Sequence, residues 1–412
     1  MGQKLVFIHA LFRTGSTYLW NTFRRNNKYC CYYEPFNENL INLVHDYFKS
    51  FNIDEKVSEK NRHPDLSNTY FYEYKKFIKK KDKGVPYFKK SFPYDEYCRT
   101  ESNPDLLRYI NFLIDGAEEK IPIFQFNRSS LRALWFKRNY PSSLNIYLYR
   151  NPRDQWQSYI DFFKRNNNPY FLTRDIMIAG KNRNKDSFSA LQSLVPLFEY
   201  FNDDFSAEEI FYMILYKSYT DAEQYTVVYF LWLTALIENI LNSDFVICID
   251  DLNANIRDRG DFIGYLRMHE ITGIDLNDIN IRGYSSYSLD PGIMDWIEKT
   301  VREVIFSSLG SNKKREFHDK LDSSGNISQL LREKIINPAS TPMNVVQGMT
   351  HLNPEERHFD MSMSIARNAV DIVNEKKQYI NQIYNSYTYK LGDFILNPIK
   401  RAIKIYRKIK NR

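Results

Sequence analysis

Lys4-Leu5-Val6-Phe7-Ile8-His9-Ala10-Leu11-Phe12-Arg13-Thr14-Gly15-Ser16-Thr17-Tyr18-Leu19 is the stretch from which the rest of the chain is read. A short apolar run with the pattern of a buried strand breaks at a glycine and resumes as a helix that opens with two hydroxyls. Such a turn aims backbone N–H groups and hydroxyls at an anion, and the helix dipole adds to the attraction. An NTP-hydrolysing loop would place a glycine, four residues and then Gly-Lys-Ser/Thr here. Ala10 stands at the first glycine and Ser16 at the lysine, and the cation has moved ahead of the glycine as Arg13. The stretch reads as an anion cradle that is not built for ATP or GTP hydrolysis.

Four more runs share the character of the first: Tyr29–Tyr33, Ile121–Phe126, Leu144–Tyr149 and Phe245–Ile249. Separated by helical patterns, they predict βα units and an α/β fold with a P-loop-like parallel sheet of about five strands flanked by helices. Asn151-Pro152 is a helix start, with Asn as N-cap and Pro at the first helical position. The expected organisation is an α/β domain over 1–290 with a helical insertion at about 165–242. A helical extension follows over 291–390, broken near 323–325 and 338–342, and then a basic amphipathic helix over 391–412.

The chain has 412 residues, 43% of them hydrophobic, with 31 Tyr, 29 Phe and five Trp, which excludes a disulfide-stapled mini-protein and a disordered acidic chain. Its net charge of +7 resides in one tail, because residues 400–412 hold seven Lys/Arg and no acid. The remainder is neutral, so a nucleic-acid reading loses its main support. Cys30, Cys31, Cys98 and Cys248 have no metal-ligand spacing and read as free thiols. No signal peptide or bilayer-length apolar run is apparent, so the expectation is a cytoplasmic protein. The tail, with Leu391, Ile395, Ile399, Ile403 and Tyr406 near helical spacing among Lys and Arg, suits either an anionic membrane surface or packing on the body.

Arg13-Thr14-Gly15-Ser16-Thr17-Tyr18-Leu19 resembles the 5′-phosphosulfate loop of sulfotransferases: a basic residue, Ser/Thr, Gly, two further Ser/Thr, an aromatic and Leu. A second element of that family, Arg-x-Pro-[Lys/Arg]-Asp with a Ser eight residues after the Arg, is matched by Arg150-Asn151-Pro152-Arg153-Asp154 and Ser158. The resemblance covers roughly residues 1–260 and includes Phe245–Leu252, similar to the family's later strand. It implies 3′-phosphoadenosine-5′-phosphosulfate (PAPS) as sulfuryl donor. Arg13, Thr14, Gly15, Ser16, Thr17 and Tyr18 would hold the 5′ end, and Arg150 and Ser158 the 3′-phosphate. The glycine-rich C-terminal loop with which animal cytosolic members close over the nucleotide has no counterpart in this sequence.

Sulfuryl transfer needs a base for the acceptor proton and cations around the moving group, and no metal is required. The strand that carries a catalytic His in many animal cytosolic members reads Ile123-Phe124-Gln125-Phe126-Asn127-Arg128-Ser129 and has none. Tyr32-Tyr33-Glu34-Pro35 instead matches the Glu-Pro segment of carbohydrate sulfotransferases. The resemblance therefore implies Glu34 as general base, Arg13 as the group that stabilises leaving-group charge, and a carbohydrate or glycolipid acceptor. The bland reading of Glu34 is a helix cap or an ion pair with a nearby Lys. Arg128 is a weaker candidate for an acidic acceptor, with a plain surface arginine as its alternative. Lys89 and Lys90 are candidates for the acceptor cleft, Lys79–Lys81 read as a solvated face, and His9 as a buried hydrogen-bonded residue. A non-catalytic nucleotide- or glycan-binding protein on the same fold and a kinase-like P-loop enzyme are the competing readings.

Overall fold

In the computed structural model the structure describes residues 4–49, 62–195, 205–215 and 219–323. Most of the expected extension and the whole basic segment 391–412 lie outside the described residues. Five strands form one sheet: β1 (Val6–Ala10), β2 (Tyr29–Tyr33), β3 (Ile121–Phe126), β4 (Leu144–Tyr149) and β5 (Phe245–Cys248). All pairings are parallel, in the order β2-β3-β1-β4-β5. The expected α/β fold with about five parallel strands and flanking helices is therefore present. Nearly every strand residue is buried, which is why these strands read as continuous apolar runs rather than alternating ones. β5 stops one residue early, because Ile249 opens the short helix Ile249–Ala254.

From β1 the chain fills one side of the sheet with β2 and β3 and the other with β4 and β5. A crevice consequently opens at the carboxyl end of the central strand, where open α/β sheets bind ligands. The helix α1 (Ser16–Arg24) starts at that crevice. Next along the chain come α2 (Pro104–Gly116), α3 (Ala133–Asn139) and α4 (Pro152–Asn166). Asn151 caps α4 by accepting from the Arg153 N–H at 3.0 Å, with Pro152 at the first turn, as the sequence predicts.

The insertion is helical wherever it is described: α5 (Tyr170–Lys181), α6 (Asp186–Leu194), α7 (Ala207–Leu215) and α8 (Asp221–Asn242). Thr220 and Glu223 form a capping box that starts α8. This 22-residue helix is long and apolar enough to cross a bilayer, with mean hydropathy 1.2. Its apolar window is 89% buried inside the fold, as in the core helix of a soluble protein. Past β5 the chain forms α9 (Ile249–Ala254), α10 (Ile256–Met268), α11 (Pro291–Ser308) and α12 (Ser311–Ser323). The four cysteines are free thiols, and Cys98 alone is only part-buried.

His9 is the buried, hydrogen-bonded residue expected from its place on β1. Its Nδ1 lies 2.7 Å from the Ser129 hydroxyl and its Nε2 3.4 Å from Asn145 Oδ1. Burial, with a smaller push from Arg132, holds the imidazole down at about 4. The unfolded chain therefore takes up a proton near pH 6.5 that the folded chain refuses until about 4. Stability from this group is complete above pH 6.5 and is lost as pH falls through that window, by up to ~3 kcal/mol. Urea titrations across the window should show a shallower pH dependence for His9→Gln than for the parent protein.

Candidate functional site

The loop between β1 and α1 owes its shape to two left-handed residues, Arg13 at φ 62° and Gly15 at φ 80°. It is braced from below. Thr14 Oγ1 donates to the Leu11 carbonyl at 2.9 Å, and Gln155 Nε2 and the Tyr159 hydroxyl on α4 donate to the Phe12 carbonyl at 2.8 and 3.3 Å. Tyr159 shares that one proton with Asp175, which lies closer at 2.9 Å, and burial pushes that carboxyl up to about 7. Gly15 occupies the N-cap of α1 without a side chain, so the first-turn amides meet no side-chain cap. A methyl group on Gly15 would lie 2.9 Å from Ile249 Cγ1 in a backbone region unfavourable to L residues. Gly15→Ala should cost about 1–2 kcal/mol of stability, read as a lower urea midpoint, and should weaken anion binding by displacing the loop.

The second cluster starts where β4 ends. Arg150 is buried and donates from Nη1 to the Arg13 carbonyl at 3.3 Å and from Nη2 to the Arg282 carbonyl. Its Nε lies 3.5 Å from Asp250 and makes no hydrogen bond. Ser158, on the same face of α4 as Gln155, accepts from Arg13 Nε at 3.0 Å. The two clusters, far apart in the chain, thus face one another. They line one cavity of about 850 Å³ with Arg13, Gly15, Ser16, Thr17, Arg150 and Ser158 in its wall. Burial and the nearby Arg150 pull Arg13 down to about 10, so at neutral pH two crowded cations face the cavity and an anion there is favoured.

Ser16 Oγ donates to Asn127 Oδ1 at 2.8 Å, and Thr17 Oγ1 lies 3.3 Å from the Tyr33 hydroxyl. Tyr18 contributes its ring to the cavity while its hydroxyl donates to Asp278 at 2.6 Å. Thr14 departs from the expectation: its side chain is committed to the loop backbone and does not line the cavity, which leaves it a bracing role.

Glu34 follows β2 directly. Its N–H still donates to the Gln125 carbonyl at 2.8 Å, after which the chain turns through φ 45°. The carboxylate is buried in the cavity wall, accepts from Asn127 Nδ2, and lies 2.7 Å from Arg128 Nη1. Burial raises its pKa. Arg128 opposes that shift, but it shares its charge with Glu38, which adds like-charge repulsion at Glu34. For Glu38 itself burial is overcome by Arg128 and Arg174, at 2.6 and 2.8 Å, and it falls to about 2. Glu34 is thus the more basic of two neighbouring carboxylates.

Three expectations need correction. Arg128 is not a surface arginine: it is fully buried, clamped between Glu34 and Glu38, with its guanidinium 4.9 Å over the Phe12 ring. With two carboxylates already in place it positions Glu34 and has no charge to spare for an acidic acceptor. Glu34 is paired with this arginine, not with a lysine. Lys89 and Lys90 are exposed and outside the cavity, and Lys89 pairs with Asp105 at the start of α2.

Two parts of the wall were invisible in the sequence. Part-buried His63 sits with its Nδ1 2.7 Å from the Tyr70 hydroxyl, and burial, followed by Arg13, lowers it to about 3. The irregular segment before α11 straps the crevice: Ile281 exchanges backbone bonds with the Asn253 side chain, Tyr287 donates to Asp154 at 2.9 Å, and the Ser288 N–H to Gln157 at 2.8 Å. It presents Asn280, Arg282 and Tyr284 to the cavity. Among the described residues no group of three His, Cys, Asp or Glu could hold a metal ion. No protein-family model, curated protein or solved structure matches the chain.

Proposed function

We propose that this protein is a PAPS-dependent sulfotransferase that transfers a sulfuryl group to a hydroxyl of a carbohydrate or glycolipid. The observation that carries the reading is the convergence of the Arg13–Tyr18 loop and the Arg150–Ser158 pair on one cavity, bridged by the 3.0 Å bond from Arg13 Nε to Ser158 Oγ. Two anion cradles facing one another fit a nucleotide with phosphoryl groups at both ends better than one with a single chain of phosphates. The volume of about 850 Å³ suits a cofactor together with part of an acceptor.

In this reading the nucleotide supplies the sulfuryl group. The backbone amides of Gly15, Ser16 and Thr17 and the Thr17 hydroxyl hold its 5′ end, and Arg150 and Ser158 hold the 3′-phosphate. Arg13 offsets charge that develops on the leaving side. Glu34, aimed by Arg128 and Asn127, takes the proton of the acceptor hydroxyl. The segment Asn280–Tyr284 closes the crevice in place of a glycine-rich loop. The mechanism invokes no metal. A cytoplasmic location, and contact of residues 391–412 with an anionic membrane, would suit a lipid-linked acceptor.

Calorimetry of 3′-phosphoadenosine 5′-phosphate against AMP and ATP tests the reading. Tighter binding of the bisphosphate supports it, and equal binding of AMP overturns it. A non-catalytic binder would share that preference but have no turnover for a Glu34 variant to lose. A kinase-like enzyme would prefer ATP with Mg²⁺, and Ala10 and Ser16 at the glycine and lysine positions speak against it.

A further inference from the structure

Residues 75–90 carry eight lysines and one acid: Lys75, Lys76, Lys79, Lys80, Lys81, Lys83, Lys89 and Lys90 against Asp82. All eight are exposed, while Ile78, Val85 and Phe88 between them are buried and pin the run to the body. Its two ends are clamped together: Phe112 on α2 packs against Phe77 at 4.6 Å and against Tyr87 at 5.1 Å. Lys76 is held by Glu118 at 3.7 Å and Lys89 by Asp105. Among the described residues Lys79, Lys81, Lys83 and Lys90 have no ion-pair partner. Such a concentration of like charge raises the energy of the free surface and favours a polyanionic partner.

The apolar side chains on this face decide which partner. Val44, Tyr72 and Tyr87 are three of the five large apolar residues that are well exposed among the described residues, at 42%, 42% and 43%. Val44 bridges to Lys83, Lys75 lies 5.6 Å over the Tyr72 ring, and Arg108 stacks 4.0 Å over Tyr87. Tyrosines interleaved with lysines match a bilayer interface, where the ring sits at headgroup depth and lysine stems extend toward the phosphates. The cations are lysines rather than the guanidinium forks that read phosphates bidentately, and Arg108 is spent on Tyr87.

We infer that the lysine face formed by residues 72–90 docks the protein on an anionic lipid surface, with Tyr72 and Tyr87 entering the headgroup layer. This inference is independent of the sulfuryl-transfer reading. The test is sedimentation of the full chain with phosphatidylcholine vesicles, with and without phosphatidylserine. Binding should require phosphatidylserine and weaken with added salt. It should fall at least ~10-fold when Lys79, Lys80, Lys81 and Lys83 are all changed to Gln, with an unchanged melting temperature. The basic segment 400–412 is common to both proteins, so the difference between them reads this face alone. The emission that Tyr87→Trp adds to that of the five native tryptophans, read as the difference from the parent protein, should move to shorter wavelength on the anionic vesicles. Equal vesicle binding by the parent and the four-lysine variant overturns the inference. So does capture of heparin by the same lysines with no emission shift of Tyr87→Trp on vesicles, which would assign the face to a soluble polyanion.

Discussion

Arg150→Ala is expected to weaken binding of 3′-phosphoadenosine 5′-phosphate by about a hundredfold and AMP binding by far less. The Nε of Arg150 is buried without a hydrogen bond while its other nitrogens reach two carbonyls. That arrangement fixes the guanidinium before any ligand arrives, so little ordering cost offsets the charge-assisted bonds to a phosphate. Because Arg150 also ties the Arg13 carbonyl to the Arg282 carbonyl, its removal loosens both the loop and the strap. Ser158→Ala separates the two effects, because both carbonyl bonds of Arg150 remain: it should cost roughly tenfold for the bisphosphate and, for AMP, only what loss of the Arg13 Nε bond costs. Calorimetry on both variants, with melting temperatures alongside, reads the result. A loss shared equally between bisphosphate and AMP would mean that Arg150 holds the loop and does not discriminate the 3′-phosphate.

The sheet was legible because its strands are buried on both faces, so each appears as an uninterrupted apolar run whose end coincides with polar punctuation. The cap at Asn151-Pro152 and the turn at Gly15 were legible for the same local reason: one residue's backbone preference determines each. Arg128 was not, since nothing in Asn127-Arg128-Ser129 says that Glu34 and Glu38 return from another strand end to neutralise it. The charge balance of a buried arginine is a property of packing, and sequence spacing does not encode it. The strap around Asn280–Tyr284 and the placement of His63 escaped for a related reason. Neither has periodicity, and each is held by bonds to distant elements such as Asn253, Asp154 and Tyr70. Lys89 and Lys90 were misplaced because a lysine after an aromatic pair reads alike on a cleft and on an open surface.

Glu34→Gln should lower turnover by a factor of about 10²–10⁴ and leave the affinity for 3′-phosphoadenosine 5′-phosphate unchanged. The amide keeps the shape of the carboxylate, and its one oxygen can accept from Arg128 while its NH2 replaces the oxygen that faced Asn127, so the outline of the wall survives with one of the two bonds lost. It lacks the basicity that the role proposed for Glu34 requires. Arg128 retains Glu38 at 2.6 Å, so the variant should fold, with about 1–3 kcal/mol lost from the buried pair. The pH profile distinguishes Glu34 from the other candidate base in the cavity. The Glu34 carboxyl is raised by burial, so in the parent protein kcat/KM should fall on the acid side through a pKa above the usual carboxylate value of 4.5. His63 is lowered to about 3, so an acid limb that it governed would lie below that range. An acid limb above 4.5 that persists in His63→Gln identifies Glu34 as the base. Turnover retained by Glu34→Gln, with the limb displaced by His63→Gln, would transfer the role to the imidazole that Tyr70 holds in the cavity wall.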